Sequence, residues 1–227
     1  MVYIFIFLIL FFLFATLDIF AVAKENRKLE YITKPLMMPL LALYFIFGTL
    51  TNNIDWLIVI ALLFGCAGDI FLMLENKNKW FMFGMAAFLL GHVFYIISFL
   101  LSIGANIVNF PIYGFVLLIP VIFIILLTFP KYKDHMGDLK IPVYIYMVTI
   151  LTMHVSAILR LALFEFSCPC FFLVWFGSIL FIFSDSLIAT DTFNKEMKIP
   201  HIRIYEMITY ILGQFLITTG ILISSML

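Results

Sequence analysis

Two carboxylates lie where a membrane-spanning run has most reason to avoid them. Asp69, in Gly65-Cys66-Ala67-Gly68-Asp69-Ile70-Phe71-Leu72-Met73-Leu74, and Asp185, in Phe181-Ile182-Phe183-Ser184-Asp185-Ser186-Leu187-Ile188-Ala189, each interrupt an apolar stretch. An ionisable group near the middle of a bilayer costs about 2.5–3.5 kcal/mol on insertion scales, so such a residue marks a functional site by default. Two acids sharing one apolar site cannot both ionise easily, so one keeps its proton and the other its charge. That division suits acid–base chemistry of the kind paired carboxylates perform on glycosidic bonds. It also suits a small transporter or channel in which the acids carry protons or cations.

The elements that must hold these acids follow from composition. Of 227 residues, 65% are hydrophobic and 11% charged, against about 45–50% and 25% in soluble proteins. Mean hydropathy is +1.20. The chain is therefore expected to be an all-α polytopic membrane protein, with residues 1–227 forming a single transmembrane domain. A formal net charge of zero, with the basic residues confined to particular loops, argues against a nucleic-acid partner. Cys66, Cys168 and Cys170 give no disulfide framework: Cys66 sits inside a span, and Cys168-Pro169-Cys170 is spaced too closely to pair easily. All three are expected to be packing residues.

A span needs about 20 apolar residues to cross roughly 30 Å of hydrocarbon, and polar punctuation divides the chain into eight, near 1–23, 34–50, 56–74, 80–101, 111–129, 141–160, 168–190 and 203–225. Six is the alternative count if two short spans are re-entrant. The first stretch ends in Ala21-Val22-Ala23, which resembles a signal-peptide cleavage site. It is expected to be a retained helix, because no Lys or Arg precedes the apolar run and Asp18 lies within it. Pro35, Pro111, Pro142 and Pro169 are expected at span entrances, and Pro120 is expected to kink the fifth span.

Orientation follows from the Lys and Arg count. Lys24, Arg27, Lys28 and Lys34 lie between spans 1 and 2, Lys77 and Lys79 between 3 and 4, Lys131, Lys133 and Lys140 between 5 and 6, and Lys195, Lys198 and Arg203 between 7 and 8. Only Arg160 falls on the other side. The basic loops are expected to be cytoplasmic, with both termini outside. Asp69 and Asp185 then sit about five residues before the inner ends of spans 3 and 7, about 7–8 Å deep at 1.5 Å per residue.

Other polar residues reach a similar depth. Asp18, Lys34, Tyr144, Tyr146 and Glu206 lie toward the inner ends of their spans, while His92, Tyr95, Tyr210 and Gln214 lie nearer the middle. A polar pocket opening to the inner leaflet would gather them. Plainer readings stay open: Lys34 snorkelling to headgroups, Tyr144 and Tyr146 as interfacial aromatics, Gln214 as interhelical glue, His92 as a packing histidine, and Asp18 and Glu206 simply solvated at the interface. The four histidines show no tight ligand spacing, and there is no GxSxG, Walker loop or CxxC. No metal is expected.

An ordered set of short matches runs along the chain: Lys34-Pro35-Leu36; Gly68-Asp69 with Leu72; Gly84, Phe88, Gly91-His92 and Tyr95; Tyr146 with Ile150 and Met153; Gly177-Ser178, Phe181, Ser184-Asp185 and Ile188-Ala189; Tyr210 with Gln214. In this the chain resembles the YhhN-type integral membrane proteins, which include the lysoplasmalogenases. Asp18 has an acidic counterpart in some of them, whereas Gly91 departs from the Ser or Thr common before the histidine. The resemblance implies hydrolysis of the vinyl ether bond of a lysoplasmalogen to a fatty aldehyde and a glycerophospho-base. Asp69 and Asp185 would be the acid–base pair, and Lys34 would face the lipid phosphate. His92, Tyr95, Tyr146, Ser184, Tyr210, Gln214 and Asp18 would bind substrate or position the acids and the water. No cofactor is needed, the partners are a lysophospholipid and the bilayer, and the compact chain leans toward a bacterial inner membrane. An intramembrane aspartyl peptidase is a weaker alternative, because Cys66-Ala67-Gly68-Asp69 lacks the first Gly of the usual Gly-x-Gly-Asp. A structural or assembly role is another.

Overall fold

A computed structural model describes residues 2–50, 53–74, 77–164, 166–197 and 199–227; Lys198, counted above among the basic loops, lies outside them. The chain forms α1 (Val2–Ala23), α2 (Arg27–Thr49), α3 (Trp56–Met73), α4 (Lys77–Ile103), α5 (Ile119–Tyr132), α6 (Lys140–Leu159), α7 (Pro169–Phe193) and α8 (Ile202–Ser224). No strand occurs among the described residues, and eight helices are long and apolar enough to cross a membrane. The protein is thus an all-α, polytopic bundle of membrane-span helices.

Three expectations about the helices are corrected. α2 begins at Arg27, so Lys34 does not open the second span but lies two turns inside it. The Asn26 side chain accepts the Leu29 N–H at 3.2 Å, and Glu30 in the first turn suits the positive end of the helix dipole. Pro35 and Pro39 are therefore interior. Pro39 has no N–H to give the carbonyl of Pro35, and that carbonyl instead accepts the Cys66 thiol at 3.3 Å. Secondly, Pro120 does not kink a continuous fifth helix. A 3-10 segment, Ile112–Leu118, precedes α5, and Pro120 sits in its first turn. Because Pro120 cannot donate to Leu117 in the 3-10 register, the Leu117 carbonyl is left to accept the Trp175 indole N–H at 3.2 Å. Thirdly, Cys168 and Cys170 are joined in a disulfide. Extended backbone at Cys168, just before α7, brings the two Cα atoms to 5.4 Å, within the usual range for a bridge.

The basic connections meet at one end of the bundle. Tyr31 of α2 donates to the carbonyl of Met73 at 2.7 Å, Asn194 after α7 donates to that of Lys131 at 2.6 Å, and Arg203 of α8 pairs with Glu30 of α2 at 2.6 Å. Arg160 lies at the opposite end and is 2% exposed. Its guanidinium donates to Ser102 and Ser224, each at 3.0 Å, and stacks over Phe99 and Phe164. It ties the end of α6 to the ends of α4 and α8. Arg160→Met keeps the bulk but removes both charge-assisted bonds, so it should cost about 1.5–3 kcal/mol. A thermal midpoint in detergent equal to that of the parent protein would contradict this.

Two tight hairpins carry the acids, α3–α4 and α7–α8. In the second, a Cβ on Gly177 would stand 2.8 Å from the Gly213 carbonyl, and one on Gly220 the same distance from that of Cys170. Small residues of this kind let helix backbones approach in a membrane.

Candidate functional site

Each acid is held by a tyrosine from a different helix. Asp69, on α3 and 2% exposed, accepts the Tyr210 hydroxyl of α8 at 2.8 Å. Asp185, on α7, accepts the Tyr146 hydroxyl of α6 at 2.5 Å. His92 of α4 places Nε2 3.0 Å from the Tyr146 oxygen and 3.7 Å from the Asp185 carboxylate. The acids also sit differently along their helices: Asp69 is about one turn from the end of α3, and Asp185 about two turns from the end of α7.

Aromatic rings connect the two clusters. Phe181 packs edge-on against His92 with ring centroids at 4.8 Å and against Tyr210 at 5.5 Å. Phe88 meets both Phe181 and Tyr210 edge-on. Gly68, next to Asp69, makes room for the Phe88 ring, which a Cβ there would meet at 2.6 Å. Asp69 and Asp185 thus belong to neighbouring hydrogen-bonded clusters joined through an aromatic layer.

Asp185 lines a cavity. An apolar pocket of about 50 Å³ is lined by Phe81, Met85, Phe88, Val143 and Ile188 together with Tyr146 and Asp185. It shares Leu72, Phe81, Ile188 and Phe193 with a chamber of about 530 Å³ at the basic end of the bundle. All four basic connections or their flanks contribute to the chamber wall. Its charged residues are Arg27, Lys34, Lys195 and Arg203, with Glu30, Asp138, Asp191 and Glu206. Lys34 is 6% exposed, and its charged neighbours are Asp69 foremost, then Glu206, Asp18 and Glu30.

The remaining expected residues fall around these clusters. Asp18 is fully buried and accepts the Thr33 hydroxyl at 2.7 Å, beside Lys34. Tyr95 donates to the Gln214 side-chain oxygen at 2.6 Å, one turn of α8 beyond Tyr210. The Ser184 hydroxyl donates to the backbone carbonyl of Glu206 at 3.0 Å, so it pins α7 to α8 rather than facing the cavity. His154 lies apart from the acids, its Nδ1 2.7 Å from the Ser178 oxygen. Tyr144 is 37% exposed and stays at the surface.

Sequence reasoning undervalued Glu206, which lines the chamber. The signal was present in its spacing: Glu206, Tyr210 and Gln214 recur every four residues and so share one face of α8.

The YhhN family model matches residues 29–221, from the start of α2 into the last turn of α8. The chain belongs to the YhhN family. No curated protein and no solved structure matches it. Every site residue named above except Asp18 and Arg27 falls inside the YhhN stretch. Tyr210 makes the one hydrogen bond given to the Asp69 carboxylate among the described residues. Tyr210→Phe should therefore leave a buried acceptor unsatisfied and cost about 1–3 kcal/mol. A chemical or thermal unfolding midpoint that does not move would overturn that assignment.

Proposed function

We propose that this YhhN protein hydrolyses the vinyl ether bond of a lysoplasmalogen. The observation that carries the reading is the Asp185–Tyr146–His92 cluster, whose Asp185 and Tyr146 line an apolar pocket that adjoins a charged chamber. That combination suits a single-chain lipid with its headgroup in the chamber and its ether linkage at the acid.

The reaction needs one proton delivered to carbon. Asp185 delivers a proton to the β-carbon of the vinyl ether, and the electron pair of the double bond forms the new C–H bond. The resulting oxocarbenium ion is captured at its α-carbon by water, whose proton returns to the Asp185 carboxylate. The hemiacetal then collapses: its O–H proton passes to the glycerol oxygen, the C–O bond breaks, and aldehyde and glycerophospho-base leave. Tyr146 and His92 orient Asp185. Asp69, held by Tyr210 beside Lys34, supplies negative charge one aromatic layer away and does not touch the substrate. The YhhN resemblance and the positive-inside rule together support a site facing the cytoplasm, with a bacterial inner membrane as the proposed setting.

One observation favours a second reading. Glu206, Tyr210, Gln214 and Thr218 make a polar stripe up α8 toward the end where Ser224 meets Arg160, as expected for a transport path. One pair of assays decides between them. Purified protein in detergent should release aldehyde from a 1-alkenyl lysophospholipid, with Asp69→Asn and Asp185→Asn both impaired. Transport would show instead as flux into liposomes with the lipid unchanged.

A further inference from the structure

The charge balance of the chamber is informative. Four basic and four acidic side chains face it, an even balance that favours neither a bare anion nor a bare cation. Two of the eight stand apart. Arg203 and Glu30 close a direct ion pair at 2.6 Å, while Lys34 and Glu206 feel each other's charge without pairing. Among the described residues, neither the Lys34 ammonium nor the Glu206 carboxylate makes a hydrogen bond or an ion pair. Both belong to membrane-span helices, α2 and α8.

Holding a buried ammonium and a carboxylate apart forgoes their mutual attraction while each still bears a desolvation penalty. The arrangement is favourable when a ligand of reversed polarity bridges them. We infer that Lys34 and Glu206 form a split ion pair that reads the two ends of a zwitterionic headgroup, with Lys34 taking a phosphodiester and Glu206 a protonated amine.

The charges acting on Glu206 are first those of Lys34 and Arg203 and then those of the acids Asp191 and Asp185; Arg203 is already paired with Glu30, which leaves the two acids to favour a cation beside Glu206. The chamber, at about 530 Å³, is within the range of roughly 300–1,000 Å³ usual for small-molecule sites. Phe81, Phe193, Leu72 and Ile188, shared with the apolar pocket, give the polar chamber an apolar exit. The ligand class is thus a single-chain phospholipid whose headgroup ends in an ammonium. This rests on the proposed lipid substrate and adds the residue that selects the headgroup.

Binding tests it without chemistry, using non-hydrolysable 1-O-alkyl lipids and the full chain in nanodiscs. Alkyl-glycerophosphoethanolamine should bind saturably. The same lipid with its amine acetylated, or alkyl-glycerophosphate lacking the amine, should bind at least tenfold more weakly to the unaltered protein. Glu206→Gln should weaken the amine lipid at least tenfold and leave alkyl-glycerophosphate unchanged, whereas Lys34→Met should weaken both. Soluble glycerophosphoethanolamine should compete at least tenfold less well than the lipid. Equal affinity for the amine and acetylated lipids overturns the proposal, and because that comparison uses the unaltered protein, it does not depend on a variant folding. Equal losses for both lipids in Glu206→Gln, or soluble headgroup binding as tightly as the lipid, overturn it as well. Intact amine-selective binding with no aldehyde release from the alkenyl lipid would reject the hydrolase reading and leave the headgroup assignment standing.

Discussion

Asp185→Asn should lower aldehyde release from a 1-alkenyl lysophospholipid by about 10²- to 10⁴-fold, the range general acid catalysis supplies. The amide keeps the size of the carboxyl group, and its oxygen can still accept the Tyr146 hydroxyl now 2.5 Å from Asp185. What it lacks is an acidic proton, and carbon protonation is the step that needs one. The loss should fall on kcat, with KM little changed, because the headgroup contacts in the chamber are untouched. Asp69→Asn should cost less, about 10- to 100-fold. That carboxylate is buried behind the aromatic layer with Tyr210 and Lys34 and acts through its charge. Tyr146→Phe should be the mildest of the three, since the hydroxyl orients the acid without giving up its own proton. A detergent preparation of Asp185→Asn that melts like the parent and retains more than a tenth of its activity would remove Asp185 from the chemistry. If Asp69→Asn proves the more damaging change, the roles of the two acids must be exchanged.

The fold was legible in the sequence because each span is a predominantly apolar run and nearly every basic residue falls in alternate connections. Asp69 and Asp185 stood out for the same physical reason: a carboxylate in such a run is too costly to be incidental. What stayed hidden was pairing at long range. Tyr210 meets Asp69 across 141 residues and Tyr146 meets Asp185 across 39, and no local pattern encodes which tyrosine serves which acid. The start of α2 was hidden because hydropathy drops at Arg27, Lys28 and Glu30, although Arg, Lys and Glu are good helix formers. Glu206 was hidden by its place near a span end, where an acid facing a chamber and one facing water look alike in sequence. The Cys168–Cys170 bridge depended on the backbone turn ahead of α7, which spacing alone did not reveal.

Gly177→Ala should destabilise the protein far more than Gly48→Ala, although both glycines are buried in helix contacts. At Gly48 the new methyl would meet the tip of Leu222 at 2.6 Å, and a flexible side chain can turn aside. The gain in helix propensity, roughly 0.8–1.0 kcal/mol in an ordinary helix interior, should then offset most of the cost. At Gly177 the new atom would stand 2.8 Å from the Gly213 carbonyl and 2.9 Å from the Ile217 amide nitrogen, both backbone. Backbone inside a helix cannot step aside singly, so α7 and α8 must separate, at the upper end of the roughly 1–3 kcal/mol that overpacking costs. The separation would also reach the site, because α7 carries Asp185 two turns further on and Ser184 ties it to the Glu206 carbonyl at 3.0 Å. Gly177→Ala should therefore lose activity in the fraction that still folds, whereas Gly48→Ala should keep it. Equal unfolding midpoints and equal activities for the two variants would mean that the α7–α8 approach does not fix the position of the acid.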